Sequence, residues 1–178
     1  MTRVGPQYNS PMNSEQSMSV ILPRIKVAVS HLQQLVAEMP AEATDRPLLG
    51  GQRSVKDMLA HLAWWDQWLL TTLPPAPGAE PLAIDLPLRD QIPEGDTWAE
   101  EMNAKVLAHS KSREYPGVWA EFKSTRDQLL ERVSVLTDAD LTDPAGLSAE
   151  IGHPVMPLIV GIYEHYEEHA HEMERVAL

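Results

Sequence analysis

Two histidines four residues apart lie near the end of the chain, in Gly161-Ile-Tyr-Glu-His165-Tyr-Glu-Glu-His169-Ala-His171. On a helix, residues i and i+4 are neighbours on one face, with Cβ atoms about 5–6 Å apart. Their imidazoles can therefore grip one divalent ion. A third histidine, His61, lies far upstream in a second helical pattern. Three neutral nitrogen ligands leave a coordination position open, as catalytic zinc sites do and structural ones do not. The chain has no cysteine, so any metal must use His, Asp, Glu or water. A donor set of three imidazoles favours Zn²⁺ or Ni²⁺, with Fe²⁺ and Mn²⁺ compatible.

The elements that must position these residues are helical. Leu22, Ile25, Val29, Leu32 and Val36 recur at spacings of three and four, giving a first helix that ends near Met39-Pro40. Pro23 places its start close by, because proline is tolerated in a first turn and breaks a helix interior. Ser54-Val-Lys-Asp57 opens the second helix, with Ser54 as N-cap and Asp57 at the third position, a capping-box variant. Val55, Met58, Leu62, Trp65 and Leu69 form its stripe, and Pro74-Pro75 ends it. Residues 74–96 are Pro-rich and without period, as a crossover connection would be. A short helix spans Thr97 to about Ser110. Another opens at Pro116 and carries Trp119, Phe122, Leu129, Leu130, Val133 and Leu136. Residues 137–154 read as loop, and the last helix runs from Val155 or Leu158 to Val176. The prediction is an all-α four-helix bundle, up-down-up-down, with a long crossover between helices 2 and 3 and one short extra helix. Residues 1–13 are expected to be a disordered leader and residues 14–178 a single domain.

A helical wheel separates the histidines. With Ile162 as zero, Val155, Leu158, Tyr166, Met173 and Val176 fall within about 40°. His169 lies about 20° from that stripe, His165 about 60° away at its edge, and His171 on the opposite side. On the second helix, His61 lies about 60° from Met58, again bordering the stripe. In an up-down-up-down bundle the second and fourth helices run the same way. His61 then lies about 10 Å below Ser54, and the C-terminal pair about 12–18 Å below Pro157, at similar depth. Burying three unpaired imidazoles would cost on the order of 1–3 kcal/mol each, and one metal would satisfy all three. The plainer alternative is that each half-buried ring hydrogen-bonds a nearby carbonyl.

Asp57, one turn before His61, and Glu168, three residues after His165, could orient an imidazole as outer acceptors; a cap and a solvated acid are the plainer readings. His153, placed by the alternation at the same bundle end as His61, could line the mouth of a site. Trp65 reads as core, whereas Trp64 and Trp68 lie off the stripe, where they could cover the short helix or a dimer face.

Composition narrows the partners. Lys and Arg number 14 against 26 Asp and Glu, a net charge of −12. This opposes phosphate binding, and no basic patch is visible, so no nucleic-acid partner is expected. No apolar run is long enough to span a membrane, and residues 1–11 lack the apolar core of a signal peptide. A cytoplasmic protein with no membrane partner is expected.

Two segments, Gly50-Gly-Gln-Arg-Ser-Val-Lys-Asp-Met-Leu-Ala-His61-Leu-Ala-Trp-Trp and Tyr163-Glu-His-Tyr-Glu-Glu-His169, resemble the DinB-like superfamily. This includes its damage-inducible, ClbS/DfsB-type and thiol-dependent transferase branches. The likeness extends over most of residues 20–177. One departure is Gln52, where the family often carries Trp. The resemblance implies a four-helix bundle, often a homodimer, with a metal held by residues matching His61, His165 and His169. It also implies a small-molecule substrate: some members conjugate low-molecular-weight thiols to electrophiles, and others hydrolyse or sequester reactive compounds. The expected function is a metal-dependent enzyme acting on a small electrophile by thiol transfer or hydrolysis, with the thiol as cosubstrate. The alternative is a non-catalytic metal- or small-molecule-binding protein of stress or resistance.

Overall fold

The computed structural model describes residues 17–40, 43–47, 51, 53–75, 78 and 84–177. The expected leader, residues 1–13, and Gln52 lie outside them. The described residues form seven α-helices: α1 (Met18–Glu38), α2 (Val55–Thr72), α3 (Trp98–Ser110), α4 (Tyr115–Ser134), α5 (Asp138–Thr142), α6 (Leu147–Ile151) and α7 (Val155–Ala177). The four long helices α1, α2, α4 and α7 make the bundle, and α3 is the short extra one. Ile21, Ile25 and Leu32 from α1, Met58 and Leu62 from α2, Phe122 and Leu129 from α4, and Ile159, Tyr166 and Met173 from α7 fill one core. Each recurs at helical spacing, so every long helix buries one stripe.

The direction of the helices differs from the simple alternation. On α1 and α7, Arg24 donates to the Tyr163 hydroxyl at 3.3 Å, and His31 pairs with Glu174 at 3.2 Å. Both sequences advance together, so α1 and α7 are parallel. On α2 and α4, Gln67 donates to Glu121 at 2.9 Å, and Arg132 donates to the Leu73 carbonyl at 2.9 Å, which makes that pair parallel too. Between α2 and α7 the order reverses: Arg53 meets Glu172, Asp66 meets Tyr166, and Trp68 meets His153. The path is thus up-down-down-up, and α2 is antiparallel to α7.

The long connection explains the reversal. A parallel pair needs a return leg, and α3 supplies it. Its start packs the Trp98 ring 5.3 Å from Trp65 and 5.5 Å from Trp68. Its end places Ser110, whose hydroxyl donates to Asp57 at 2.6 Å, beside the start of α2. Thirteen residues at 1.5 Å each carry the chain back about 20 Å.

A second apolar cluster pins this leg to α2. Trp64, 3 % exposed, packs with Leu86, Met102 and Val106, and its indole N–H donates to the Pro87 carbonyl at 2.7 Å. Trp65 is only half-buried. The wheel placed Trp65 in the core and Trp64 outside it. The reversal arises because α2 is covered on two sides, by the bundle and by the connection.

Two boundaries also differ. Helix α1 starts at Met18, a turn before Pro23, because Asp138 accepts from the Met18 backbone N–H at 2.7 Å and ties down that first turn. Residues 137–154 contain the one-turn helices α5 and α6. Thr137 and Asp140 form a capping box that starts α5, a Thr-x-x-Asp signal present in the sequence.

Asp57 joins these parts. It closes the Ser54 capping box at 2.9 Å and accepts from both Ser110 and Lys111, at 2.6 and 2.5 Å. Asp57→Ala is expected to cost about 2–4 kcal/mol in urea denaturation, because it removes a cap and charge-assisted bonds together. A loss below about 1 kcal/mol would contradict this role.

Candidate metal centre

The antiparallel packing of α2 on α7 brings His61, His165 and His169 together. His61 stands two turns into α2, and the pair stands two to three turns before the end of α7, so antiparallel helices put them at one level. One ligand nitrogen from each lies within 4.8 Å of the others. The closest two are His61 Nε2 and His165 Nε2, 2.7 Å apart. Ring centroids are 4.8 to 5.2 Å apart in all three pairs. His169 is 3 % and His61 7 % exposed, His165 is half-buried and His171 is exposed; for the three histidines of α7 this is the order that the wheel predicts.

His169 is oriented from behind. Its Nδ1 lies 3.0 Å from Glu172 Oε2, and the other oxygen of Glu172 lies 3.4 Å from Arg53 Nη2. A carboxylate on one ring nitrogen fixes the tautomer and presents the other nitrogen as a ligand. The sequence reading named Glu168 as an outer acceptor and passed over Glu172. Its signal was the i,i+3 step from His169.

The other suggested residues lie elsewhere. Asp57 is taken up by Ser54, Ser110 and Lys111, as described above. Glu168 is exposed, and its charge is the smallest of the influences on His169. His153 stacks edge-on to Trp68, with ring centroids 6.1 Å apart, at the opposite end of α2 from Ser54. The reversed direction of α7 moves it away from the mouth that the alternation had assigned to it.

Electrostatics keep the rings neutral. Burial, then the neighbouring imidazoles, push His61 down to about 2 and His165 to about 3. Burial also lowers His169, against the opposing pull of Glu172. Neutral imidazole is the ligating form. Tetrahedral zinc with Zn–N near 2.0–2.1 Å spaces its nitrogens about 3.3 Å apart, between the closest and widest separations here. The donor set therefore fits such an ion with small side-chain rotations.

Nearby, Tyr166 donates to Asp66 at 2.5 Å in the core. Burial raises Asp66 to about 7, against the hydrogen bond from Tyr166 and the charge of Arg126. These shifts act in opposite directions on stability. His61 and His165 bind protons in the unfolded chain below its pKa of about 6.5 but stay neutral in the fold until about 3, so acid destabilises, and the lowering of His169 acts in the same direction. Asp66 holds a proton in the fold between about pH 4 and 7 that the unfolded chain releases, so acid stabilises there. Metal-free protein is therefore expected to lose stability from pH 6.5 to 4.5 with a slope of about one to two protons. His165→Leu should reduce the slope by about one. Urea midpoints across this range check it, and a flat profile would contradict it.

The family model of the DinB superfamily matches residues 25–173. No curated protein matches the chain. Among solved structures, an uncharacterised protein from Escherichia coli UTI89 is similar, with a TM-score of 0.64 and 17% identity over 91% of this chain and 93% of that one. The colibactin self-resistance protein ClbS, in complex with double-stranded DNA, aligns with a TM-score of 0.60 and 14% identity over 93% of this chain and 98% of its own. The ClbS complex corrects the expectation that net charge excludes a nucleic-acid partner. Total charge sums over the whole surface, whereas binding depends on its local distribution. Among the described residues no helix is long and apolar enough to cross a membrane. With the family model spanning most of its length, and both structural neighbours sharing its all-helical fold, the chain belongs to the DinB superfamily.

Proposed function

We propose that this protein is a metal-dependent enzyme that acts on a small electrophilic compound, by transfer of a low-molecular-weight thiol or by hydrolysis. The observation that carries this reading is the cluster of His61, His165 and His169, three desolvated neutral imidazoles within 4.8 Å, with Glu172 behind His169. Zn²⁺ or Ni²⁺ suits the donor set. Such an ion would supply Lewis acidity that lowers the pKa of a thiol or water it binds. The residues do the rest. His61, His165 and His169 would hold the ion, and Glu172 fixes the His169 ring. With no cysteine in the chain, a thiol nucleophile arrives as cosubstrate.

A second reading is a binding protein that sequesters a reactive compound without turnover. It is favoured by the likeness to ClbS, a self-resistance protein. Duplex DNA, the ligand in the ClbS complex, belongs to this reading as a candidate ligand. Its binding would weaken steeply with salt.

Both readings are tested with 1-chloro-2,4-dinitrobenzene as the probe electrophile. Metal-loaded protein is expected to release chloride over many turnovers, with or without added 3-mercaptopropionate according to the nucleophile. EDTA and His169→Ala should abolish this. Consumption that stops at one equivalent per chain, or is indifferent to EDTA, would contradict the enzymatic reading. Glu172→Gln is expected to weaken zinc affinity about 10–100-fold, because the ring it orients loses basicity and position. Competition with a chromogenic chelator measures this, and an unchanged affinity would remove Glu172 from the site.

A further inference from the structure

A cleft of about 200 Å³ opens beside His61, between the start of α2 and the outer face of α3. Its walls are Arg53, Asp57, His61, Asn103, Ala104 and Leu107. The volume equals that of about seven water molecules, so it suits a fragment of a few heavy atoms. The chemistry of the walls is asymmetric. Ala104 and Leu107 are apolar. Asn103 is fixed by accepting from the Trp65 indole at 2.9 Å. The Asp57 carboxylate is only 1% exposed and is covered by Ser54, Ser110 and Lys111.

Arg53 differs from these. Its side chain is 39% exposed, and only Nη2 engages Glu172, at the long distance of 3.4 Å. A guanidinium carries five N–H donors in a planar fork suited to a carboxylate. Its charge bears on all three imidazoles, since it contributes to the lowering of His61, His165 and His169 alike. Arg53 thus stands next to the cluster and on the cleft that leads to it. A ligand whose reacting group reaches the histidine cluster would pass within reach of this cation.

We propose that Arg53 anchors the carboxylate of the small molecule whose reacting group sits at the histidine cluster, with the cleft over Ala104 and Leu107 holding the intervening carbon chain. The substrate or cosubstrate class is then a short carboxylate-bearing compound, with its acid a few bonds from the reacting atom. Asn103 supplies a second polar wall. The inference rests on the metal-centre reading, and Arg53 is a binding residue in it.

The test uses full-length protein loaded with Co²⁺ and two thiols of equal length, 3-mercaptopropionate and 3-mercaptopropan-1-ol. Metal content is measured first, and thiol binding is then followed by charge-transfer absorbance. Wild type is expected to bind the carboxylate about tenfold more tightly than the alcohol. Arg53→Gln should abolish this preference at unchanged Co²⁺ content, and Arg53→Lys should retain part of it, because the charge remains without the fork. Equal affinity for the two thiols in wild type, or a preference that survives Arg53→Gln, overturns the proposal while leaving the metal centre intact. A chain that holds no Co²⁺ overturns the metal-centre reading, and the anchor with it. That failure is read from metal content before any thiol is added.

Discussion

Burial of three imidazoles on the seam between two antiparallel helices is the constraint to which the rest of this structure is arranged. A protonated imidazole is costly in that environment, so the rings are held neutral. Neutral rings at this depth need partners. The fold supplies some of them: His61 and His165 meet each other at 2.7 Å, and Glu172 holds His169 at 3.0 Å. A single cation shared by all three would satisfy the cluster more completely and in one geometry. The same seam continues to Asp66 and Tyr166, an acid whose pKa burial raises and a phenol, paired in the core. Buried polar groups also line the α2–α4 interface, where Gln67 donates to Thr125 at 3.3 Å and Arg132 to the Leu73 carbonyl at 2.9 Å.

The direction of the chain makes the histidine seam possible. Because α2 runs antiparallel to α7, the start of α2 faces the end of α7. Arg53 then meets Glu172 there. The return leg through α3 is what allows this order, and Asp57, Ser110 and the tryptophans fasten it. Structural and functional residues are therefore interleaved along α2. Asp57 ties down the return leg, His61 joins the cluster, Trp64 pins the connection and Asp66 lies in the core. One helix serves the bundle, the connection and the site, which explains why it is buried on two sides.

Much of this was legible in the residues. Periodicity located the long helices, since an apolar stripe must recur every three or four residues to reach one core. The Ser54–Asp57 capping box marked the start of α2. Geometry on a single helix ranked His169, His165 and His171 by burial. What sequence left obscure required knowledge across helices. Whether α2 and α7 run parallel or antiparallel depends on the path of the connection, and that path follows from Trp64, Trp98 and Ser110 packing on α2. The wrong direction placed His153 at the wrong end. It also concealed Arg53 and Glu172, which are adjacent only when the two helices oppose. Glu172 reads as one more acid on a charged face until its neighbour across the seam is known. The exclusion of nucleic acid failed for a related reason: total charge is a property of composition, and surface recognition is not.

The central claim is that His61, His165 and His169 hold one divalent ion. Crystals of protein purified without a His tag and reconstituted with Zn²⁺ test it most directly, through anomalous difference maps collected on both sides of the zinc edge. The account predicts one strong peak per chain, bonded to a nitrogen of each of the three histidines at about 2.0–2.1 Å. A map with no peak there, or with zinc bound only by exposed histidines such as His171, would contradict it.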